Sequence, residues 1–365
     1  MIIRKLSVLN YKNISQAEIK FSDKTNCFFG NNGMGKTNLL DAIYYLSFSK
    51  SHLNTPENRL VRNEEELCVV QGEYDYDGKA EDIFCAIRRG QRKQFKRNKK
   101  EYERLSEHIG LLPLVIVSPA DSDLISGGSD ERRRFVDMII SQYDKQYLHS
   151  LIQYNKAMTQ RNAMLKERSN DASLYDVLEM QMGTYGQQIY EKRRLFIDML
   201  IPMFNEYHRM ICNTRDVVGL SYISQLANGD LLKMLHESRV KDMIVGYSLV
   251  GIHKDDVEMT LDEQLMRHTG SQGQNKTFLI ALKLAQYSYI ASKVETKPIL
   301  LLDDIFDKLD SERVEKIINL VSGDSFGQTF ITDTNRKYLD RILETMEHDY
   351  TLFEVENGKV ESLLN

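Results

Sequence analysis

The chain has 365 residues, a formal net charge of −5, and 42% hydrophobic and 28% charged residues, a balance typical of a folded globular protein. No apolar stretch approaches the ~20 residues that cross a bilayer, and residues 1–5 precede no apolar segment, so we expect no membrane span and no signal peptide. The four cysteines are far apart and form no CxxC pair, which excludes an evident zinc site or disulfide framework and favours a cytoplasmic protein.

The chain begins with a pattern typical of an α/β protein. Alternating apolar residues predict strands within residues 3–21, and a short apolar segment at 27–29 runs directly into a glycine-rich loop. From residue 38 onwards the apolar residues recur at helical spacing. A β-rich segment follows, with strands expected at 68–76, 83–88 and 114–117.

The segment 119–295 changes to a helical pattern. We expect two long helices, about 131–167 and 173–210, joined by the polar turn 169–171. The spacing is partly heptad-like, so the pair is either an ordinary helical hairpin, which we favour, or a short antiparallel coiled coil. After residue 298 the α/β pattern returns, with a strand at 299–302, a helix at about 311–321 and a strand at 329–331.

A phosphate-binding loop is the clearest motif of the sequence. The pattern GxxxxGK[ST] lies between an apolar strand and a helical segment, as the chemistry requires. Its glycines let backbone N–H groups converge on a polyphosphate, and the following helix adds its positive end. We expect Lys36 to reach the β- and γ-phosphates of ATP and the Thr37 hydroxyl to ligate Mg²⁺. The nucleotide-binding residues of this motif are Gly30, Asn31, Asn32, Gly33, Met34, Gly35, Lys36 and Thr37.

A second motif supplies carboxylates for the metal. The continuously apolar residues 299–302 are typical of a strand buried on both faces of a parallel sheet, and Asp303 and Asp304 follow at its carboxyl end. We expect Asp303 to hold Mg²⁺ and Asp304 to orient or deprotonate the attacking water. Most of the chain separates this strand from the phosphate loop. A large insertion therefore divides the ATPase.

A third motif precedes a helix shortly before that strand. Ser271 is a plausible N-cap, and Gly273 lets the backbone approach an anion closely. Taken alone, the four residues fit a plain capped helix better, but the order of motifs is the one that ABC-type ATPases show for their signature sequence, and a helix start can bind phosphate. The residues of this candidate signature motif are Ser271, Gln272, Gly273 and Gln274.

Several collinear segments together resemble the RecF family, bacterial DNA replication and repair proteins related to the SMC-type ATPases. The resemblance spans nearly the whole chain. It rests on residues 6–14, 30–37, 118–125, 132–137, 160–166, 251–256, 271–274 and 301–304.

The resemblance implies an α/β fold: an ABC-type P-loop ATPase head, lobe I, with an inserted, mainly helical lobe II. We expect lobe I at residues 1–118, lobe II with the signature motif at 119–295, and a return to lobe I at 296–365. It also implies an ATP-dependent homodimer that grips duplex DNA near gaps and single-strand/double-strand junctions. With RecO and RecR, such a dimer would help RecA load. A slow ATPase in the cytoplasm, associated with the nucleoid, is expected.

Three segments depart from the family pattern. Where the family usually has GPHRDD, this chain has Ile252 in place of proline and Lys254 in place of arginine. The usual SELD after the metal strand reads Asp307-Lys308-Leu309-Asp310. The strand at 329–331 ends in Thr332-Asp333-Thr334, where the family more often has a run of threonines.

Charge is segregated along the chain, which bears on DNA binding. A net negative chain is atypical of nucleic-acid binders, but residues 88–100 contain no acidic side chain and a clamp needs only one positive face. This run is either a solvated hairpin or a face that contacts phosphates. The candidate DNA-binding residues are Arg92, Lys93, Lys96 and Arg97.

Two other functions remain open from the residues alone. The three ATP motifs also suit an ABC transporter ATPase subunit, although such chains are usually shorter and lack a long helical insertion at this place. A switch in which ATP controls docking to protein partners, with DNA incidental, would use the same motifs.

Overall fold

A computed structural model of the chain describes residues 1–212, 216–307, 309–334, 336 and 349–364. These residues form two compact units. The first takes in the described residues of Met1–Asp121, Met210–Asn213 and Lys276–Asn365, and the second those of Ser122–Arg209 and Thr214–Asn275.

The helices and strands follow in three groups along the chain. Up to residue 121 they are β1 (Ile2–Tyr11), β2 (Ile14–Lys20), β3 (Thr25–Phe29), α1 (Lys36–Phe48), β4 (Leu67–Tyr76), β5 (Lys79–Arg88), β6 (Gln94–Arg97), β7 (Lys100–Glu101) and β8 (Leu114–Val117). From residue 122 to 275 they are α2 (Asp123–Ser126), α3 (Ser129–Tyr143), α4 (Lys145–Glu167), α5 (Ala172–Cys212), β9 (Val218–Ile223), α6 (Leu231–Val245), β10 (Asp256–Leu261), β11 (Gln264–Leu265), α7 (Met266–Thr269) and the start of α8 (Gln272–Ala291). The remainder are β12 (Ile299–Asp303), α9 (Ser311–Ser322), β13 (Thr329–Asp333), β14 (Tyr350–Glu356) and β15 (Lys359–Leu364).

A mostly parallel sheet carries the two ATP motifs of the first unit. Its strand order is β15-β14-β3-β13-β12-β8, and only β15 runs antiparallel to its neighbour. Every residue of β3, β12 and β13 is buried, which explains why their sequences are continuously apolar near the centre. Because the strands are parallel, the carboxyl ends of β3 and β12 meet at one edge of the sheet, with β13 between them.

The second sheet of this unit is antiparallel, in the order β2-β1-β4-β5-β6-β7. Buried and more exposed residues alternate along its strands, as expected when one face of a sheet packs against the core and the other faces solvent. The strands expected at 68–76 and 83–88 are present, although the second begins earlier, at Lys79.

The helical hairpin of the second unit differs from the expectation in one respect. The helix predicted over 131–167 is two helices, because the backbone at Asp144 is extended (φ −119°, ψ 97°) and its carboxylate caps α4 by accepting the N–H of Tyr147 at 2.9 Å. Helices α4 and α5 pair antiparallel, as the Ser150 hydroxyl bonds the side-chain oxygen of Gln188 and Arg161 bonds Glu179. The unit also holds a three-stranded antiparallel sheet, β11-β10-β9.

The signature-bearing helix α8 crosses a unit boundary. Its residues from Lys276 onward belong to the first unit, whereas the sequence places the whole of 119–295 in lobe II. Packing accounts for the difference, since every residue of α8 from Thr277 to Tyr287 is buried, as expected for a helix in the core of the first unit. Among the described residues, none of the helices combines the length and apolar composition that crossing a bilayer requires.

Candidate nucleotide-binding site

The loop between β3 and α1 has the backbone geometry that a phosphate cradle needs. Gly30, Gly33 and Gly35 all have positive φ, at 154°, 81° and 118°, where residues with a side chain are strained. A Cβ on Gly30 would also lie 2.2 Å from the carbonyl oxygen of Val355. Glycine is therefore required here for both conformation and space, and α1 begins directly behind the loop at Lys36.

Two turns that are distant in sequence from this loop support it, the β1–β2 turn and the β14–β15 turn. The Asn13 side-chain N–H donates to the Gly33 carbonyl at 3.1 Å and its oxygen accepts from Asn38 at 2.7 Å. On the other side, the Gly358 N–H donates to the Met34 carbonyl at 2.9 Å. These bonds engage loop carbonyls from outside, which orients the peptide groups and leaves N–H groups for a ligand. Sequence reasoning missed both turns because neither belongs to a phosphate-binding motif.

The Lys36 ammonium lies against the loop that precedes it. Nζ donates to the Gly30 carbonyl at 2.7 Å and to the Asn31 carbonyl at 3.0 Å. Burial lowers the pKa of Lys36, while the nearby carboxylates of Asp304 and Asp303 act in the opposite direction. The structure therefore brings together the lysine and the two aspartates that the sequence assigns to one site.

An all-oxygen cluster forms where the two ATP motifs meet. The Thr37 hydroxyl donates to Asp303 Oδ1 at 3.0 Å, and the Thr332 hydroxyl donates to the same atom at 2.7 Å. Burial raises the pKa of Asp303, and these two hydroxyl bonds oppose that shift. Hydroxyl and carboxylate oxygens are the ligands that Mg²⁺ prefers, so the donor set fits this ion.

Asp304 is placed by β13. Its N–H lies 3.0 Å from the hydroxyl of Thr332 and its backbone has φ of 49°, in the left-handed region. A non-glycine residue in this conformation is uncommon and is held there by its surroundings. The side chain is partly exposed at the edge of the sheet, next to the buried Asp303.

The candidate signature residues begin α8 with reciprocal capping bonds. The Ser271 hydroxyl accepts the N–H of Gln274 at 3.2 Å, and the Gln274 side-chain oxygen accepts the N–H of Ser271 at 3.0 Å. This is a capping box, and it satisfies two of the donors that a helix start leaves unpaired. The predicted N-cap role of Ser271 is present. Gln272 is exposed and Gly273 is partly so.

The segments that depart from the family pattern have mainly internal contacts. Ile252 is buried and its carbonyl accepts from Arg193, while the Lys254 ammonium lies 5.3 Å from the centre of the Tyr247 ring. After β12, the Asp307 carbonyl accepts from the Lys276 ammonium at 2.5 Å. Lys308 lies outside the described residues.

The basic run 88–100 divides into engaged and available cations. The Lys93 ammonium bonds the Tyr45 hydroxyl, the Ser49 carbonyl and Glu57, and its side chain is only 11% exposed. Arg97 forms a two-point ion pair with Glu81 at 2.7 and 2.8 Å. Arg92 is exposed and Lys96 is partly exposed over the Phe84 ring. Local charge alone does not reveal the two carboxylate partners, because Glu81 lies on β5 and Glu57 in the segment after α1.

Known proteins with the same pattern cover the whole chain. The family model for the RecF/RecN/SMC N terminal domain matches residues 2–361. The DNA replication and repair protein RecF of Parabacteroides distasonis is 66% identical over 363 residues, covering 100% of both chains. RecF of Bacteroides fragilis (strain YCH46) is 55% identical over 365 residues, covering 100% of this chain and 99% of its own.

Solved structures agree with the sequence relatives. The recombination mediator protein RecF with ATP, from the RecFOR pathway, has a TM-score of 0.89 at 28% identity and covers 100% of this chain and 98% of its own. The Smc head domain from Pyrococcus furiosus, solved with an extended coiled coil, has a TM-score of 0.59 at 18% identity, covering 99% of this chain and 96% of its own. The similarity to the Smc head domain concerns the fold alone.

Fold and site together define a P-loop ATPase of the SMC and ABC type, as the sequence predicted. The chain belongs to the RecF family of DNA replication and repair proteins.

Proposed function

We propose that the protein is an ATP-switched clamp for DNA repair. Two copies enclose ATP and Mg²⁺, each giving its phosphate loop to one side and its signature turn, Ser271, Gln272, Gly273 and Gln274, to the other. The observation that carries the proposal is the contact between Thr37 and Asp303, which unites the loop and metal motifs in one oxygen cluster. A turn without nucleotide function would not need a buried carboxylate at this position.

Within one copy, the chain's own residues supply the parts that phosphoryl transfer uses. Lys36 would bind the β- and γ-phosphates, and Thr37 with Asp303 would hold Mg²⁺, which neutralises charge on the phosphates. Asp304 would orient the attacking water. Its side chain is one methylene shorter than the glutamate usual in ABC proteins, which is consistent with slow hydrolysis. The ATPase would then act as a switch that releases DNA.

The proposed ligand is duplex DNA near gaps and single-strand/double-strand junctions. The support is the family membership together with the RecFOR pathway named for the solved RecF structures. RecR and RecO would be direct partners and RecA a functional one. The protein would act in the cytoplasm, associated with the nucleoid.

The proposed phosphate-contacting face contains fewer residues than the sequence alone predicts. Arg92 and Lys96 remain candidates, whereas the ammonium of Lys93 and the guanidinium of Arg97 already bind carboxylates of the same chain. A cation with an internal partner loses that interaction when it turns to a phosphate, so its net contribution is smaller.

A binding titration tests the function. A gapped duplex with a fluorescent label is titrated with protein at several salt concentrations, with and without ATP and Mg²⁺. We expect ATP to raise the affinity, and we expect Arg92→Gln with Lys96→Gln to reduce the salt dependence by about two counterions. Lys20→Gln, an exposed lysine on the far edge strand of the same sheet, is the matched control. An affinity that ATP leaves unchanged would contradict the proposal and would favour a protein-docking switch.

A further inference from the structure

A row of buried and partly buried polar contacts joins helix α1, which follows the phosphate loop, to helix α8, which carries the signature turn. We call this row the relay. All of its members belong to the first unit. They are Asp41, His52, Ser118, Asp121 and Lys283.

The relay begins on α1, where the carboxylate of Asp41 is 1% exposed. Its Oδ1 accepts the N–H of His52 at 2.7 Å, and Oδ2 accepts the Tyr11 hydroxyl at 2.7 Å and lies 2.6 Å from the Lys12 ammonium. The Ser51 hydroxyl is also within 3.0 Å of both oxygens. A buried carboxylate with this many donors is held in one position.

The centre of the relay is a single side-chain contact. Nε2 of His52 lies 2.8 Å from the hydroxyl of Ser118, the residue that follows β8. The Ser118 N–H in turn donates to Oδ2 of Asp121 at 2.8 Å. The His52 ring is also fixed by an edge contact with Tyr44 of α1, whose ring centre is 5.1 Å away. The histidine is therefore attached to α1 on one side and to the end of β8 on the other.

The relay ends on α8 in a buried ion pair. Oδ1 of Asp121 lies 2.7 Å from Nζ of Lys283, and the two side chains are 6% and 2% exposed. Lys283 is three turns along the same helix that starts at Gln272, a distance of roughly 16 Å along its axis. Helix α8 is continuous from Gln272 to Ala291, so Lys283 and the last three residues of the signature turn belong to one helix.

A buried ion pair of this kind is weak evidence for stability, since its desolvation offsets most of the attraction. Its effect is to select one arrangement, because separating the partners breaks an ion pair in the interior, where water does not replace it. Breaking any other contact of the relay costs a hydrogen bond. A shift of α1 that moves Asp41 must either break a link or move α8 as well.

We propose that the relay transmits nucleotide occupancy at the phosphate loop to the signature turn, with His52, Ser118 and Asp121 as positioning residues. The proposal rests on the proposed function, since the signature turn matters only if a second copy's ATP docks on it. Lys36 and Thr37, the residues proposed to bind the nucleotide and its metal ion, lie in the first turn of α1, and Asp41 lies one turn further along the same helix. The His52–Ser118 contact is the link between two uncharged side chains, so its removal should perturb the fold least.

The experiment removes that link and measures dimerisation separately from nucleotide binding. Ser118→Ala and His52→Ala are compared with His52→Gln, whose amide nitrogen takes the place of Nε2. We expect the ATP concentration at half-maximal dimerisation to rise about tenfold in both alanine variants, the effect of one hydrogen bond. Binding of a fluorescent ADP analogue, at a protein concentration too low for dimers, should be unchanged. His52→Gln should restore the wild-type midpoint.

A matched control separates coupling from folding. His108 is a buried histidine of the first unit, and its Nε2 also contacts α1, at the Leu46 carbonyl (2.6 Å), but it is no part of the relay. His108→Ala should lower the melting temperature without moving the ATP midpoint. The relay is refuted if Ser118→Ala leaves the midpoint in place or if His108→Ala shifts it equally. A wild-type chain that stays monomeric with ATP would instead refute the proposed function, and the relay with it.

Discussion

The Thr37 hydroxyl donates to Oδ1 of Asp303 at 3.0 Å, although the two residues are 266 positions apart in the chain. The contact exists because β3 and β12 are parallel strands of one sheet, separated only by β13. The carboxyl ends of β3 and β12 therefore lie at the same edge of the sheet. It turns two separate sequence motifs into one candidate magnesium site.

Thr37→Ala should abolish the effect of Mg²⁺ on nucleotide affinity. The substitution removes one metal-ligand oxygen and leaves the loop glycines and Lys36 in place, so ATP should still bind weakly. Titration of a fluorescent ATP analogue with and without Mg²⁺ measures the difference. Thr37→Ser keeps the hydroxyl and is the control. A Thr37→Ala protein whose affinity still rises with Mg²⁺ to the wild-type extent would remove Thr37 from the site.

Asp303→Asn should stabilise the nucleotide-free protein at neutral pH. Burial raises the pKa of Asp303, so the folded state binds its proton more tightly than the unfolded state does. The contribution of Asp303 to the stability of the wild-type protein therefore falls as the pH rises from the unfolded pKa, near 3.9, through the raised folded value. Denaturant unfolding at pH 4 and pH 7 measures this effect.

The gap in the free energy of unfolding between Asp303→Asn and wild type should be larger at pH 7 than at pH 4. Asparagine keeps an oxygen for Thr37 and Thr332, so the hydrogen bonds are matched. Equal stabilities at both pH values would show that ionised Asp303 carries no net burial penalty.

Asn13→Ala should weaken ATP binding without unfolding the protein. The Asn13 side chain bonds the Gly33 carbonyl and Asn38, and losing these bonds lets the loop peptides rotate away from the cradle. We expect a loss of about tenfold in affinity by calorimetry, in the range of one or two hydrogen bonds. Asn98→Ala removes a comparable turn contact, with the N–H of Asp82, away from the loop. A loss of the same size in both variants would point to general destabilisation.

Thiol labelling of the native protein should be dominated by one site. Cys27, Cys68 and Cys85 are buried, and burial raises the pKa of each to about 12, so little thiolate forms near neutral pH. Cys212 is partly exposed. Mass spectrometry after brief alkylation at pH 7.5 should find one label on most chains and four labels in denaturant. Rapid labelling of Cys68 or Cys85 would contradict the packing of the antiparallel sheet.

The sequence predicts those parts of the site that are local in the chain. The loop, Lys36, Thr37 and the apolar strand before Asp303 are each contained within a few consecutive residues, and the Ser271 cap follows from a pattern of four. Asn13 and Gly358 could not be found in this way, because their contribution depends on where β1, β2 and the β14–β15 turn lie in space.

Two further differences between the sequence predictions and the structure have identifiable physical causes. The helix break at Asp144 had a signal, since aspartate is a strong N-cap, but the apolar periodicity continues across it and outweighs it. The ion pairs of Lys93 with Glu57 and of Arg97 with Glu81 join different segments, so a charge run gives no indication of them.

The measurement that tests the central claim most directly is the molar mass in solution, by light scattering, with and without ATP and Mg²⁺. The clamp predicts that ATP with Mg²⁺ doubles the mass of the wild-type protein and leaves Lys36→Ala monomeric. A wild-type chain that remains monomeric at saturating ATP, or a Lys36→Ala chain that dimerises with ATP, would contradict it.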